Sequence, residues 1–418
     1  MNDRIVPSKD TLERIIREIP TPFHLYDEAA LVRRMRALNG AFAWNAGFRE
    51  YFAVKATPNP HLLQLMKAEG LGADCASLTE LMLARAVGFS GEEIMFSSNE
   101  TPAEEYRLAR SLDATINLDD ITHIDFLKEN GGIPERICLR YNPGGDYRVA
   151  NRVMGNPGEA KYGMTRAQVV EAVRRLTALG TKRFALHAFL VSNAIDPAYY
   201  PGMARLLMEL AIDVHRETGA EVYTVNLSGG VGIPYRPEER PVDIAQVGAG
   251  VKAAYDELIA GTALEGLRIA TELGRWLTGP VGCLITRAIH EKHTHKEYIG
   301  VDASACDLMR PAMYGAYHHI TVAGKEDAPA DHTYDVVGSL CENNDKFAVD
   351  RQLPPIERGD LLIIHDTGAH GRSMGYNYNG KLRSGEVLLK ADGSFKLIRR
   401  AETPEDYFAT LDYPGLTG

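Results

Sequence analysis

One lysine, two acids and a glycine-rich turn recur at corresponding places in this chain, each at or just past the end of a short apolar run. Lys55 closes YFAVKA, Asp74 lies in LGADCAS, His187 in FALHAFL, Ser228-Gly229-Gly230 closes YTVNLSGG, and Glu272 with Arg275 closes RIATELGR. A lysine amine can act as a covalent nucleophile toward a carbonyl compound. Backbone N–H groups in a turn such as SGGVG, Ser228 to Gly232, can approach a phosphate closely. A carboxylate beside a heterocyclic nitrogen favours its protonated form. A lone lysine at a strand end is commonly a solvated loop residue, and a lone Gly-rich turn is commonly only a turn. It is their convergence on one mouth that would make a reactive centre.

The elements that would bring them together are legible as a rhythm. Between about Arg49 and Arg275, short β-branched-rich runs alternate with longer stretches of helical periodicity. Eight candidate strands lie near Lys55, Asp74, Ser97, Asp119, Arg140, His187, Gly229 and Glu272, which predicts a closed parallel (β/α)8 barrel with its active site at the C-terminal strand ends. Met203, Leu206, Leu207, Leu210, Ala211 and Val214 share one helix face, and Thr165 with Gln168 has capping-box spacing before a helix that stops at Gly180. After Trp276 the runs shorten and no long helical pattern remains. The expected fold class is therefore α/β: a TIM-type barrel over 26–275 plus a mostly antiparallel C-terminal β domain over 276–418, the latter joined by residues 1–25. The segment MGNPGEAKYG around Asn156 is the candidate mobile loop.

Composition narrows the class of function. The chain has 418 residues, 45% hydrophobic and 24% charged, which is ordinary globular usage. Lys plus Arg is 46 against 56 for Asp plus Glu, so the formal charge of −10 argues against nucleic acid or an anionic membrane as partner. The opening MNDRIVPSKDTLERII has no apolar signal core, and no run reaches the length of a membrane helix. Five scattered cysteines without CxxC spacing fit a reducing compartment. A cytoplasmic protein is expected.

A lysine nucleophile, a phosphate cradle and a carboxylate are together what pyridoxal phosphate requires. The chain resembles the barrel-type (fold-type III) pyridoxal-phosphate decarboxylases, and most of all the diaminopimelate decarboxylase family. The likeness runs along the full length through ordered motifs: YFAVKAT, GADCAS, KYGM at Lys161, NLSGGVGIPY, ELGR, RPAMYGAYH at Arg310, CENND at Cys341 and GYNYNGKLR around Tyr378. It implies pyridoxal 5'-phosphate as cofactor, Lys55 as the Schiff-base lysine and Glu272 as the partner of the pyridine nitrogen. It also implies cofactor contacts from Asp74, His187, Phe189, Ser192, Gly229, Gly230, Gly274 and Tyr378. Arg275, Arg310, Tyr314 and Glu342 would hold the substrate, with Arg310 and Tyr314 facing its distal carboxylate. Cys341 would be the proton donor, supplied with Glu342 by the second subunit of a homodimer. The implied reaction is decarboxylation of meso-2,6-diaminopimelate to L-lysine, the last step of lysine synthesis. Alternatives are a decarboxylase of ornithine, lysine or a polyamine precursor, and a non-catalytic protein-binding relative.

Three departures stand out. The family's usual His-x-His-x-Gly-Ser run reads HAFLVS, so Phe189 replaces the ring-stacking histidine and Val191 the glycine. Asn343 and Asn344 replace small residues after Glu342, and Leu273 replaces a proline after Glu272. His290, His293 and His295 in HEKHTHKEY read as an exposed β turn, so no metal site is expected, and His318-His319 are candidates for indirect support of the site.

Overall fold

The alternating runs form the strands that their composition favours. The computed structural model describes residues 4–145, 156–413 and 415–416, so Met154 and Gly155 of the expected mobile loop lie outside the described residues. From Asn156 onward that loop is tied down: the Asn142 side-chain amide donates to the carbonyls of Pro157 (2.9 Å) and Tyr162 (2.8 Å). The chain divides into two compact units, one comprising Val32–Ile233 with Pro241–Trp276, the other built from Met1–Leu31, Pro234–Arg240 and Leu277–Gly418.

Strand β1 (Phe23–Asp27) belongs to the second unit. The next eight are β2 (Arg49–Ala53), β3 (Gly72–Cys75), β4 (Ile94–Phe96), β5 (Thr115–Leu118), β6 (Arg136–Arg140), β7 (Arg183–His187), β8 (Glu221–Asn226) and β9 (Arg268–Thr271). They close into a parallel barrel, with β9 returning to β2 through the pairs Arg49–Ala270 and Glu50–Thr271. All eight expected strands are present.

The helices between them start and stop where their ends are signalled. Leu78–Val87 is capped by the Ser77 side chain and terminated by Gly88 at φ +96°. Arg166–Ala178 has the Thr165/Gln168 capping box, with Gly180 at φ +106° beyond it. Tyr199–Thr218 buries Met203, Leu207, Leu210, Ala211 and Val214; Leu206, expected on the same face, is only half-buried, while Met208 is buried. No helix among the described residues is long and apolar enough to cross a membrane.

The second unit carries β10 (Gly282–His293), β11 (Glu297–Val301), β12 (Ile320–Val322), β13 (His332–Val337), β14 (Lys346–Leu353), β15 (Leu361–Ile364), β16 (Gly385–Leu389) and β17 (Phe395–Arg399). Its strand order is β14-β13-β11-β10-β1-β16-β17, with β15 joining β10 and β12. Only β1–β16 and β11–β13 are parallel; the other pairings are antiparallel. Leu284, Ile299, Val301, Val336, Leu362 and Ile364 contribute to its core. The HEKHTHKEY segment is the β10–β11 hairpin, and His293 pairs there with Glu297.

Candidate active site

Strand length decides which side chains reach the C-terminal end of the barrel. His187 is the last residue of β7, Asp74 the last but one of β3, and Lys55 sits in a one-turn 3₁₀ segment (Val54–Ala56) directly after β2. Glu272 follows β9 by one residue and Ser228 follows β8 by two.

Glu272 is the most heavily bonded of them. Its carboxylate accepts from Asn226 Nδ2 (2.7 Å), Ser228 Oγ (3.1 Å) and His187 Nε2 (3.1 Å). Asn226 also accepts the Ser228 N–H on its Oδ1 (2.9 Å), so one amide braces both the acid and the turn. Burial alone would raise the Glu272 carboxyl, but His187, Lys55 and Arg140 outweigh it and hold the group well below the usual range, as an anion. Burial lowers the pKa of His187 against the opposing pull of the Glu272 charge, and Nε2 is the ring nitrogen that faces the carboxylate. The nearby Asp74 goes the other way: burial, reinforced by the Glu272 charge, pushes its carboxyl well up despite Lys55 and Arg140.

Around this acid the backbone is packed too closely for side chains. A Cβ on Gly229 would lie 2.7 Å from the Glu272 carbonyl, one on Gly230 (φ +112°) 2.7 Å from the Val191 carbonyl, and one on Gly274 2.7 Å from Ala56 Cβ. Ser192 is brought beside this turn because the Ala194 N–H donates to the Gly230 carbonyl (2.7 Å). Tyr200, buried beneath, donates its hydroxyl to the carbonyls of Ser228 (3.0 Å) and Gly229 (2.7 Å). The exposed Lys55 amine stands 5.8 Å from the centroid of the half-buried Phe189 ring. Among the described residues, Asp74 Oδ1, Arg140 Nε and His187 Nδ1 are buried with no hydrogen-bond partner. An accessible amine, a glycine-lined turn, an anionic carboxylate and unsatisfied polar atoms at one barrel end fit pyridoxal phosphate.

Apart from Arg275, the remaining candidates belong to the second unit. Arg310 and Tyr314 bound a five-residue helix; Arg310 lies over the Tyr235 ring (5.2 Å) and Tyr314 is exposed. Cys341, Glu342, Asn343 and Asn344 form an exposed loop. The Cys341 N–H donates to Asn379 Oδ1 (2.7 Å), so Cys341 and the exposed Tyr378 share one surface of this unit. Glu342 accepts from the Asn344 N–H (3.1 Å). Arg275 begins a short helix after Gly274 in the barrel unit. His318 is buried, with its Nδ1 2.8 Å from the His365 carbonyl, in the interior of the second unit.

Three contributors to the barrel end escape a reading by motif. Asn226 stands in the NLSGG run, but its role as donor to Glu272 has no local signature. Arg140, paired with Asp119 at 2.8 Å, ends β6 and obeys the same strand-end rule as Lys55 and His187. Glu50 follows Arg49 at the start of β2, ahead of Tyr51, Phe52 and Ala53, and only the barrel closure shows what it meets.

Comparison with known proteins agrees with this chemistry. Residues 28–279 match the family described as pyridoxal-dependent decarboxylase, pyridoxal binding domain. The chain belongs to that family. Protein TabA of Pseudomonas amygdali pv. tabaci is 40% identical over 404 residues, covering 96% of this chain and 94% of the relative. Diaminopimelate decarboxylase of Methanothermobacter thermautotrophicus is 32% identical over 418 residues, covering 99% and 97%. The crystal structure of diaminopimelate decarboxylase from M. jannaschii in co-complex with L-lysine superposes with a TM-score of 0.89 at 27% identity, covering 99% of both chains. The protein is thus a pyridoxal-phosphate-dependent decarboxylase, a carboxy-lyase of the barrel type.

Proposed function

We propose that this decarboxylase converts meso-2,6-diaminopimelate to L-lysine and CO2, the last step of lysine synthesis. The observation that carries the reading is the end-to-end similarity, in sequence and fold, to diaminopimelate decarboxylases, one of them crystallised with L-lysine. Arg310 supports it, because a guanidinium at the position that the family resemblance gives to the distal contact suits a carboxylate and would repel the distal ammonium of ornithine or lysine.

Bound pyridoxal phosphate supplies an electron sink for the pair left behind when the carboxylate departs. Lys55 would hold the cofactor through its amine. Glu272 keeps its negative charge at the ring nitrogen through its three donors, and so keeps that nitrogen protonated. Phe189 offers an apolar ring surface without a titrating group. Gly229, Gly230, Gly274, Ser192 and Tyr378 bind the phosphate, while Asp74 and His187 complete the ring pocket. Arg275, Arg310, Tyr314 and Glu342 orient the substrate's charged ends. Cys341 delivers a proton to the carbon that has lost its carboxylate. Cys341 and Glu342 reach the site from the second subunit of a cytoplasmic homodimer; their exposure on a loop braced by Asn379 supports that assignment. The domain division at 275/276 belongs to the same reading.

A second reading is favoured by one comparison: Protein TabA, whose name states no reaction, shares more identity than the Methanothermobacter enzyme. With Asn343 and Asn344 beside Glu342, that supports an amino-acid substrate other than diaminopimelate. The test is L-lysine formation from meso-diaminopimelate by cofactor-loaded protein, with both enantiomers of ornithine and lysine offered separately. Lysine from diaminopimelate alone is expected. Turnover of only ornithine or lysine would overturn the substrate, and silence on all of them would favour the second reading.

A further inference from the structure

The ladder that closes the barrel is short. Between β2 and β9 it consists of two pairs, Arg49–Ala270 and Glu50–Thr271, and β9 ends at Thr271, one residue before Glu272. On its other side the Glu272 N–H is held by the Ser228 carbonyl (2.8 Å). On the β2 side, a side chain takes over where the ladder stops. Glu50, 1% exposed, accepts the Thr271 hydroxyl on Oε2 and the Leu273 N–H on Oε1 (2.6 Å). The second bond requires a residue other than proline at position 273, here leucine. Proline, usual there in the resembling family, has no N–H to give.

We propose that Glu50 is a positioning residue: its carboxyl bridges the two chain neighbours of Glu272 and thereby sets that acid relative to the strand that carries Lys55. The proposal rests on the reading that Glu272 serves the ring nitrogen. Glu50 lies five residues before Lys55 on the same strand and turn, and Gly274 packs against Ala53 and Ala56, which flank Lys55. Side chain and backbone contacts thus join the lysine segment to the acid segment at two points, across a seam with only two paired positions. A buried carboxyl in contact with another chain segment normally finds two partners or is selected against. Here the partners are the side-chain hydroxyl of the residue before one acid and the backbone N–H of the residue after it. Burial, with the Glu272 and Asp74 charges, pushes the Glu50 carboxyl well up against the pull of its two hydrogen bonds. Gln at this position keeps both bonds, accepting from the Leu273 N–H and donating to the Thr271 hydroxyl.

The experiment compares wild type, Glu50→Gln, Glu50→Leu, Thr271→Val and Glu272→Gln, each as full-length protein reconstituted with pyridoxal phosphate. It reads the cofactor dissociation constant, the position of the bound cofactor's absorbance band, kcat and KM separately, and the melting temperature of the apo protein. Glu50→Leu is expected to weaken cofactor binding at least tenfold, shift the band in the direction that Glu272→Gln shifts it, and lower kcat at least tenfold with KM within threefold. Thr271→Val, which removes one arm, is expected to do the same by roughly threefold, and it carries the test if Glu50→Leu does not fold. Glu50→Gln is expected to keep the dissociation constant, kcat and KM within threefold of wild type and to leave the band at its wild-type position. A lowered melting temperature with unchanged band and kcat in Glu50→Leu and Thr271→Val would reduce Glu50 to a structural residue and overturn the proposal. So would a Glu50→Gln variant as impaired as Glu50→Leu. If Glu272→Gln shifts the band and Glu50→Leu does not, the proposal alone fails; if Glu272→Gln leaves the band in place, the reading of Glu272 fails and the proposal with it.

Discussion

Asn226→Leu isolates the bracing of the anionic carboxylate. The side chain is fully buried and makes two bonds: Nδ2 to Glu272 Oε1 at 2.7 Å and Oδ1 from the Ser228 N–H at 2.9 Å. Leucine has nearly the same shape, so little cavity term enters. Removing a donor from a buried carboxylate costs about 1.5–3 kcal/mol, and leaving a buried N–H unpaired costs about 1–3 kcal/mol. The expected loss is therefore about 4 kcal/mol, which for a unit of this size is a fall of about 8–16 °C in melting temperature. The assay is thermal unfolding of the apo protein followed by circular dichroism at one fixed scan rate. Asn226→Asp is the control, since it keeps the shape but sets a second carboxylate against Glu272, and at pH 8 it must lose at least as much. A fall of less than about 2 °C in Asn226→Leu, or a benign Asn226→Asp, would refute the reasoning that hydrogen bonding rather than shape holds this residue.

Lys55→Ala is expected to abolish both the absorbance of lysine-bound cofactor and turnover; a variant that keeps both would remove Lys55 from the site. Cys341→Ala is expected to slow turnover while sparing cofactor affinity. Mixing it with Lys55→Ala chains should restore activity through heterodimers with one complete site, and no recovery in a verified heterodimer would count against sharing. In the second unit, burial lowers the His24 pKa to about 4, outweighing the Glu386 charge and its bond to the Asp307 carbonyl. A His with a depressed folded pKa contributes stability that is complete above its unfolded pKa of about 6.5 and lost as pH falls toward about 4, here about 3 kcal/mol. His24→Gln, which keeps a donor for Asp307, should flatten the unfolding profile across that window, and an unchanged slope would exclude His24 as the titrating group.

The barrel was legible because each strand carries its own signal, a β-branched run bounded by turn residues, and because a helix of distinct period separates it from the next. Lys55, Asp74, His187, Ser228 and Glu272 followed from that rhythm alone, since the rule that barrel chemistry sits at C-terminal strand ends needs only the strand boundaries. What the rhythm could not show is who meets whom across the closure. Glu50 looks like an interruption in REYFA until β9 comes round beside β2, more than two hundred residues later in the chain. Asn226 occupies a position where any small polar residue would suit the turn, and its bond to Glu272 depends on the register of β8 against β9. The same limit applies in the second unit, where β1 lies between β10 and β16 although nothing in FHLYD names those partners.

The three acids at this barrel end show why residue type alone does not assign a role. Three ionised carboxylates in one buried region would repel one another, and burial penalises each. The structure resolves the conflict by partner supply. Glu272 has three donors with Lys55 and Arg140 nearby, and stays charged. Asp74 has an unpartnered Oδ1 and Glu50 has only Thr271 and Leu273, so burial drives both toward the neutral form. Of the three, Glu272 is the acid whose surroundings favour the charged form, and it is also the one whose N–H is held by Ser228 and whose two chain neighbours are held by Glu50. On the proposed reading a fixed negative charge is what a protonated ring nitrogen requires, and the upward push on Asp74 and Glu50 favours keeping that charge on Glu272.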